Sequence, residues 1–385
     1  MHAFQFQTTP NVLSEVGSTA KIGEIMAKQG CKKVAFVTDK IILELGLAAA
    51  ALDSLKAAGI DAHIIDDVVP DPPESMVLTA VEEAKAAGVD GVCSVGGGSS
   101  LDTAKLIAVL MNSDQPIGEM YGVGLVTGGR LPLVLAPTTA GTGSEVTPIS
   151  IVTTGTNEKK GVVSPQLLPD WAILDAELTV GLPPAVTAAT GIDAMVHAIE
   201  AYTSAHKKNI LSDTLARQAL ELLGANIETA CSDGKNREAR SAMLLGSMLA
   251  GMAFANAPVA AVHALAYPLG GHFHVPHGLS NALVLPHVLE FNMPSAEGLY
   301  AEIGPLIFPE LAGKSDSEIG QGMIDGFKSL GPKLGMQSTL AEVGVNHNQL
   351  PMLAEDAMKQ TRLLVNNPRE MTYDAALAIY TAALN

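Results

Sequence analysis

The first half of the chain alternates two kinds of segment, and this alternation limits the fold more than any other feature. Short runs of β-branched residues predict strands at 33–38, 62–66, 91–95, 133–136 and 171–174. Ala-rich stretches with apolar residues at helical spacing predict helices at 41–58, 74–87 and 101–111. Strands that alternate with helices are typical of a parallel sheet whose faces are covered by helices, so this half predicts an α/β domain.

The pattern changes after the sequence Gly-Leu-Pro-Pro at 181–184. From Thr187 onward, long helix-forming segments follow one another and sustained β-branched alternation disappears. The length of 385 residues also exceeds that of one typical domain. We therefore predict an α/β domain over residues 1–184 and an all-α domain over residues 185–385.

Charge and composition exclude several classes of partner. The formal net charge of -17 argues against nucleic acid and anionic membranes, because both require a concentrated basic surface. The uncharged segment 241–262 is long enough to span a bilayer. It contains Gly246, Gly251, Asn256 and Pro258, and we interpret it as a buried helix of small residues. The sequence therefore predicts neither nucleic acid nor membrane as a partner.

The cysteines and the amino terminus indicate the compartment. Cys31, Cys93 and Cys231 are widely spaced and form no CxxC pair. Residues 1–13 lack the basic segment and apolar core of a secretory signal. Both observations favour a reducing environment, and we expect a cytoplasmic protein.

A glycine-rich turn follows the third predicted strand. It consists of Gly96, Gly97, Gly98, Ser99 and Ser100, and a helix opens directly afterwards. Backbone N–H groups at a helix start can bind a pyrophosphate, and glycines allow the phosphate to approach. The turn matches neither of the common phosphate-binding patterns, so a tight turn with a serine capping the helix explains it equally well.

Two further features follow predicted strands. The loop 137–145 carries hydroxyl side chains beside glycines, which suits a polar ligand at the carboxyl edge of a parallel sheet. Asp39 ends the first strand, where a carboxylate can bind ribose hydroxyls and repel a 2′-phosphate. Asp39 can also cap the next helix, and the loop can be an ordinary surface loop. Together the loops favour a Rossmann-like sheet that binds NAD rather than NADP.

Candidate metal ligands lie in the second half. Asp193 and His197 are four residues apart, so a helix places an oxygen and a nitrogen donor on one face. The segment 263–277 contains four further histidines, namely His263, His272, His274 and His277. One carboxylate with three imidazoles suits a divalent first-row ion, and the ligands alone do not separate Fe²⁺ from Zn²⁺. The alternative is that these are isolated buried histidines with one hydrogen bond each.

Four stretches resemble the iron-containing (group III) alcohol dehydrogenase family, namely 96–105, 137–145, 189–202 and 263–287. The similarity extends over essentially the whole chain. It implies a dinucleotide-binding α/β domain followed by a helical metal-binding domain, an architecture shared with dehydroquinate synthases. It also implies a homodimer or a larger homo-oligomer.

The resemblance assigns roles to particular residues. It implies a metal site formed by Asp193, His197, His263 and His277. It implies NAD contacts from the following residues: Asp39, Gly96, Gly97, Gly98, Ser99, Asp102, Thr138, Thr139, Thr142, Lys160 and Leu178.

One position departs from the family pattern. Many members have a histidine, often assigned to proton relay, where this chain has Tyr267. A phenol with a reference pKa of about 10 is a poor proton shuttle at neutral pH. We therefore expect the relay to involve Tyr267, His274 or His272, or to run through ribose hydroxyls and water.

The predicted activity is the NAD(H)-dependent interconversion of a small alcohol or diol and its aldehyde or ketone. Residues 241–313 contain neither Lys nor Arg, which favours a neutral substrate over an acid. A glycerol or polyol dehydrogenase of the same fold is one alternative. A nucleotide-sensing protein with a structural metal is an alternative from another class, and its metal site would be coordinatively closed.

Overall fold

The structure is a computed structural model, and it describes residues 3–155 and 158–385. The chain forms two compact units. One, the sheet unit, consists of Gln7–Thr139 and Gly143–Gly181. The other, the helical unit, consists of Ala140–Thr142 and Leu182–Asn385 together with the amino-terminal residues up to Phe6.

The sheet unit holds the strands and the shorter helices. Its strands are β1 (Asn11–Ser14), β2 (Lys33–Val37), β3 (Asp61–Ile65), β4 (Gly91–Gly96), β5 (Gly122–Val123), β6 (Leu133–Pro137), β7 (Ile149–Thr154), β8 (Glu158–Val163) and β9 (Trp171–Leu174). Its α-helices are α1 (Ile22–Lys28), α2 (Lys40–Glu44), α3 (Ala49–Ala57), α4 (Glu74–Ala87) and α5 (Gly98–Leu110).

The main sheet is parallel and has the strand order β1-β9-β6-β4-β2-β3. The chain passes from β2 outward to β3 and then returns to place β4 on the other side of β2. The point where the strand order reverses therefore lies between β2 and β4. In sheets of this kind, ligands bind outside the carboxyl ends of the strands at such a point. A smaller sheet has the order β5-β8-β7.

Alternating side chains of the strands pack into two hydrophobic cores, one on each face of the main sheet. On β2, Ala35 and Val37 pack with residues of α4 and α5, whereas Val34 and Phe36 pack with residues of α1 and α3. This period of two is the consequence of strand geometry. Both faces are covered by helices, and so the central strands β4 and β6 are buried along their whole length.

The predicted elements of this half differ from the observed ones in three ways. The segment 41–58 forms α2 and α3 rather than one helix, because Gly46 adopts a left-handed φ of 72° between them. Helix α5 begins at Gly98, before the predicted start at 101. The sequence did not predict α1, β1, β5 or the hairpin of β7 and β8.

The helical unit contains only helices among its described regular elements. They are α6 (Pro184–Thr203), α7 (Ile210–Ser232), α8 (Arg237–Asn256), α9 (Ala261–Phe273), α10 (His277–Ile307), α11 (Asp316–Lys333), α12 (Leu350–Met358), α13 (Thr361–Leu364) and α14 (Tyr373–Ala382). A parallel sheet in one unit and helices in the other confirm the predicted fold class. Residue 184 is the first residue of α6, whereas the units divide between Gly181 and Leu182. Ala140–Thr142 belong to the helical unit although they precede residue 181, so no single boundary in the sequence separates the two units.

Helix α6 lies at the centre of the helical unit and packs against α7, α8 and α10. Every residue from 191 to 203 is buried, although Asp193, His197 and Glu200 are among them. A helix that is buried on all sides is a core helix. Buried polar groups need partners, so these three side chains mark the place to search for a site.

The described residues contain no single helix that is long and apolar enough to span a membrane. Helices α8 and α9 meet the length and composition criteria only as a pair, and they are bent by 106° relative to each other. The predicted buried helix at 241–262 is therefore divided between these two helices.

Candidate active site

The four predicted metal ligands come together in the helical unit. Asp193 and His197 lie one turn apart on α6, His263 lies in the first turn of α9, and His277 begins α10. Their candidate ligand atoms all lie within 4.8 Å of one another. Oδ1 of Asp193 is 3.9 Å from Nε2 of His263 and 3.6 Å from Nε2 of His277.

Two glycines allow these elements to approach. A Cβ atom on Gly278 would lie 2.3 Å from the carbonyl oxygen of Ala189 and 3.3 Å from Cβ of Asp193. A Cβ atom on Gly141 would lie 2.8 Å from Cβ of Thr190. Any larger residue at position 278 would push α10 away from α6, and with it His277 away from Asp193.

Two of the imidazoles are oriented by groups behind them. Nδ1 of His263 lies 2.6 Å from Oε2 of Glu200, whose Oε1 accepts a hydrogen bond of 2.7 Å from the backbone N–H of Val262. Nδ1 of His197 lies 3.2 Å from the carbonyl oxygen of Gly141. When Nδ1 carries the proton, Nε2 keeps its lone pair for an ion, which is the usual arrangement at metal sites.

The electrostatics favour the ionisation states that bind metal. Burial lowers the pKa of His197 to about 3, so its imidazole is neutral near pH 7. Burial by itself would raise the pKa of Asp193, but the three imidazoles and the amide of Asn281 lower it, and the carboxylate is the stable form. A carboxylate and neutral imidazoles are the forms that ligate a divalent ion.

An amide completes the cluster. Nδ2 of Asn281 lies 3.4 Å from Nε2 of His263 and 3.3 Å from Nε2 of His277. Oδ1 of Asn281 is buried and has no hydrogen-bond partner in the part of the chain that the structure describes. An N–H group that faces several lone pairs occupies the electrostatic role of a cation. The donor set, one carboxylate and three imidazoles, therefore fits a divalent first-row ion.

The three predicted relay residues occupy different places. The ring of Tyr267 lies 6.0 Å from that of His277, and burial raises the pKa of its phenol. Nε2 of His272 lies 2.5 Å from Oδ2 of Asp356, and His274 ends α9 with a left-handed φ of 55°. The ligand cluster includes neither His272 nor His274. Of the three, only Tyr267 has a described contact with a predicted ligand.

The predicted NAD contacts of the sheet unit follow the carboxyl ends of adjacent strands. Asp39 follows β2, Gly96 to Ser99 end β4 and begin α5, Thr138 and Thr139 follow β6, and Leu178 follows β9. These strands are neighbours in a parallel sheet, so their ends lie along one edge. Asp39 and the glycine turn flank the point where the strand order reverses.

The local geometry of this edge decides between interpretations that the sequence left open. Gly97 caps α5 without a side-chain hydrogen bond, and both serines lie inside the helix, so the interpretation of a serine cap is wrong. The first amides of a helix have no partner within it, and they remain available to a ligand. Asp39 does cap α2, because its Oδ1 accepts a hydrogen bond of 3.0 Å from the N–H of Ile42.

The carboxylate of Asp102 is used within the protein. It accepts hydrogen bonds from the hydroxyl of Ser144 at 2.5 Å and from the N–H of Ile151 at 2.9 Å, and Nζ of Lys105 lies 3.3 Å away. Lys105 is fully buried, and burial lowers its pKa. Asp102 therefore connects α5 to the segment before and within β7.

The remaining predicted contacts have more ordinary surroundings. Lys160 lies on β8, is partly exposed, and pairs with Glu158 at 3.4 Å. Leu178 is buried in the core formed with α1 and α3. Thr142 belongs to the helical unit, unlike the other predicted contacts.

Two residues of the site were missed at first. Glu200 lies three positions after His197, and Asn281 lies four positions after His277, so helical spacing places both beside a ligand. That spacing is a signal that could have identified them.

A glycine turn lies where the strand order of a parallel sheet reverses, and a cluster of one carboxylate and three imidazoles lies in a helical unit. Together these features are typical of metal-dependent enzymes that use a nicotinamide dinucleotide.

Comparison with known proteins identifies the family. The model described as "Iron-containing alcohol dehydrogenase" matches residues 9–176, and "Fe-containing alcohol dehydrogenase family, C-terminal" matches residues 187–384. Long-chain-alcohol dehydrogenase 1 of Geobacillus thermodenitrificans is 41% identical over 92% of this chain and 90% of its own. Sulfoacetaldehyde reductase of Bilophila wadsworthia is 37% identical over 99% of both chains. A crystal structure of 1,3-propanediol oxidoreductase has a TM-score of 0.96 at 34% identity and covers 100% of both chains.

The chain belongs to the iron-containing alcohol dehydrogenase family, as its motifs predicted. It is an oxidoreductase that interconverts a small alcohol or diol and the corresponding carbonyl compound. The family uses NAD(H) and a divalent metal, and this confirms the predicted cofactors.

Proposed function

We propose that Asp193, His197, His263 and His277 hold the catalytic ion, which is Fe²⁺ or Zn²⁺. The observation that carries this proposal is the convergence of four candidate ligand atoms within 4.8 Å, three from buried side chains and one from the exposed His277. The orientation of His263 by Glu200 supports it, because groups behind a ligand are characteristic of metal sites.

A divalent ion in this site would act as a Lewis acid and lower the pKa of an alcohol. The role of the surrounding protein groups is to orient the ligands of the ion. Glu200 and the carbonyl of Gly141 fix the rings of His263 and His197. Tyr267 stays protonated at neutral pH because burial raises its pKa, so we propose that it donates a hydrogen bond rather than relaying a proton.

The proton relay is proposed to run through ribose hydroxyls and water. Of the side chains that the sequence offered for it, His272 is paired with Asp356, and His274 lies at the exposed end of α9.

NAD is proposed to bind at the carboxyl edge of the main sheet. The glycine turn, Gly96 to Ser99, supplies backbone amides for the pyrophosphate, and Asp39 binds the adenine ribose. Thr138, Thr139, Thr142, Lys160 and Leu178 provide further contacts. Asp102 is proposed to act indirectly, through Ser144 and Ile151, because its carboxylate already accepts hydrogen bonds from both residues. In this proposal residues 1–184 form the dinucleotide-binding domain and residues 185–385 the metal-binding domain.

The substrate class, the excluded partners, the compartment and the oligomeric state are also proposals. A short alcohol, diol or aldehyde without charge, the class that the local sequence favours, needs only the ion as a polar ligand. The net charge of -17 supports an enzyme that binds neither nucleic acid nor anionic membranes. We also propose a cytoplasmic homodimer or larger homo-oligomer.

Turnover by protein prepared without oxygen and loaded with Fe²⁺ tests the function. We would follow NADH absorbance with ethanol, 1-propanol, propanediol and their aldehydes, and with sulfoacetaldehyde, for which one relative is named. We expect turnover of at least one pair. Tight NAD binding with no turnover of any substrate would instead favour the nucleotide-sensing alternative.

His263→Ala tests the metal site directly. We expect this variant to lose bound metal and activity together, because it removes one of four ligands. The matched control is His347→Ala, which replaces an exposed histidine of the same unit. Stoichiometric iron in His263→Ala, measured by elemental analysis, would show that the ligand is wrongly assigned.

A further inference from the structure

A cleft opens on the helical unit between α6, α10 and α11. It contains about 450 Å³ of space that protein atoms do not fill, a size that suits a small ligand. Side chains of Ile192, Leu283, Leu285 and Phe327 are among those that line it. The cleft therefore offers an apolar surface to the carbon atoms of a ligand.

The cleft lies on a different side of α10 from the candidate metal centre. His277 and Asn281 are four residues apart and share one face of this helix. Ala282, Pro286 and His287 line the cleft. At about 100° per residue, these three residues lie about 100–240° around the helix axis from Asn281. The cleft is thus separate from the metal cluster.

Two prolines leave backbone carbonyl groups without their usual helical donors. Pro286 lies within α10, and Pro332 lies within α11. Because proline has no N–H, it cannot donate to the carbonyl group four positions earlier, which here belongs to Ala282 and to Lys328. Both prolines and both of these residues line the cleft. Two carbonyl acceptors from different helices are therefore available around the same space.

The polar side chains at the cleft favour an uncharged ligand. Nζ of Lys328 lies 3.4 Å from Oε2 of Glu290, and the hydroxyl of Ser338 lies 3.4 Å from Oε2 of Glu342. His287 has no hydrogen-bond partner among the described residues, and burial lowers the pKa of its imidazole, so the ring is neutral near pH 7. The described residues that line the cleft include no Asp or Glu. A cationic ligand would therefore lack a carboxylate partner, and an anionic one would compete with Glu290 for Lys328.

We propose that this cleft is a second, non-catalytic ligand site that binds a small diol. The two hydroxyl groups of the diol donate to the carbonyl groups of Ala282 and Lys328, and the imidazole of His287 forms a further hydrogen bond. The carbon chain of the diol contacts the apolar side chains. Binding at this site requires neither turnover nor the ion, so its test is independent of the proposed function.

NMR spectroscopy of the holoenzyme tests the site. The full-length protein is labelled with ¹³C at histidine, loaded with the diamagnetic ion Zn²⁺ and kept without nicotinamide dinucleotide, and the ring resonance of His287 is assigned by its loss in His287→Asn. We expect 1,2-propanediol to shift this resonance in a saturable way. 1-Propanol, which has one hydroxyl group less, should bind about 3- to 10-fold more weakly. A His287 resonance that does not move, or equal affinities for the two ligands, would overturn the proposal.

Gly331→Leu is designed to fill the cleft. Gly331 lines it, and an added Cβ atom would meet no atom within 4 Å, so a larger side chain has room there. We expect this variant to lose the saturable shift caused by 1,2-propanediol. Gly298→Leu is the matched control, because it adds the same side chain at an open position of α10 outside the cleft. Equal diol affinities of Gly331→Leu and wild type would place the ligand elsewhere and overturn the assignment.

Pro286→Ala tests the carbonyl groups. The new N–H donates to the carbonyl group of Ala282 within α10, so the ligand loses one acceptor while every polar side chain remains. We expect the affinity for 1,2-propanediol to fall by about 3- to 10-fold. Pro294→Ala is the control, since Pro294 lies within the same helix and outside the cleft. Diol binding by Pro286→Ala that is as tight as in wild type would contradict recognition by the two carbonyl groups.

Discussion

Nδ2 of Asn281 lies 2.5 Å from Oδ1 of Asp193 and donates a hydrogen bond to it. The same amide nitrogen faces Nε2 of His263 and His277, and the opposite amide oxygen is buried without a partner among the described residues. The amide thus keeps the candidate ligand atoms close together where like-charged or lone-pair atoms would otherwise repel. This gives Asn281 a role in shaping the metal site without being one of the predicted ligands.

Asn281→Ala should weaken metal binding about 10- to 100-fold, the usual cost of losing a group that orients a ligand. Co²⁺ binding measured by visible absorbance against a competing chelator gives the affinity. Asn226→Ala is the matched control, because among the described residues the Asn226 side chain bonds only the carbonyl of Leu222 on its own helix. Equal affinities of Asn281→Ala and wild type would remove Asn281 from the site.

Glu200→Gln should also reduce metal affinity, by about tenfold or more. The carboxylate of Glu200 accepts from both His263 and the N–H of Val262, and a neutral amide makes the imidazole a weaker donor to the ion. Dialysis against a graded series of chelator concentrations, followed by metal analysis, measures the effect. Glu221→Gln changes an exposed glutamate of α7 and should have no effect. The prediction fails if both variants retain metal equally.

Gly278→Ala should destabilise the protein by about 1–3 kcal/mol or more, because the added methyl group would lie 2.3 Å from the carbonyl of Ala189. It should also weaken metal binding by separating His277 from Asp193. Gly298→Ala on the same helix is the control, since its Cβ would meet nothing within 4 Å. That variant should gain about 0.5–1 kcal/mol from helix propensity. Urea unfolding of the two variants would reveal opposite signs, and the same sign would contradict the steric argument.

Glu145→Gln should change how stability depends on pH. Burial raises the pKa of Glu145 to about 7, above the value of about 4.3 for an unfolded chain. The folded state therefore binds this proton more tightly, and stability is lost as the pH rises from about 4 through about 7. Relative to wild type, Glu145→Gln should be more stable near pH 8 by up to about 3 kcal/mol and little changed near pH 4.

Thermal unfolding across this pH range measures the effect of Glu145→Gln, and the exposed Glu119 provides the control variant Glu119→Gln. A constant difference between Glu145→Gln and wild type at every pH would show that folding does not raise the pKa of Glu145.

Asp39→Ser separates the two roles of Asp39. Serine caps a helix well, so α2 should be retained while the negative charge is removed. We expect the ratio of kcat/KM for NADP to that for NAD to rise by about tenfold or more, since a repulsion of the 2′-phosphate is lost. Asp53→Ser, on the exposed side of α3, should leave the ratio unchanged. If the ratio in Asp39→Ser equals that of wild type, Asp39 is only a helix cap.

The order of strands and helices could be predicted from the sequence because each element depends on local periodicity. All five predicted strands agree with observed ones to within a residue at either end, and α4 was predicted with its observed bounds. The break at Gly46 was missed because a left-handed glycine inside an Ala-rich segment leaves the apolar spacing almost unchanged. Strand β1 was missed because its pairing partner, β9, lies far along the chain.

The sequence by itself determined the ligand types, the spacing of Asp193 and His197, and the glycine turn after a buried strand, because these features depend on neighbours within one or two helical turns. It could not select among the later histidines from composition. His272 follows His263 by about two and a half helical turns and so points to the other side of α9, where it meets Asp356.

Only the tertiary structure brought Asn281 and Glu200 to their partners. Gly278 and Gly141 let separate elements approach. Such contacts depend on side-chain volumes and directions across helices rather than on any local pattern, which is why the chemistry of the site was predictable and its surroundings were not.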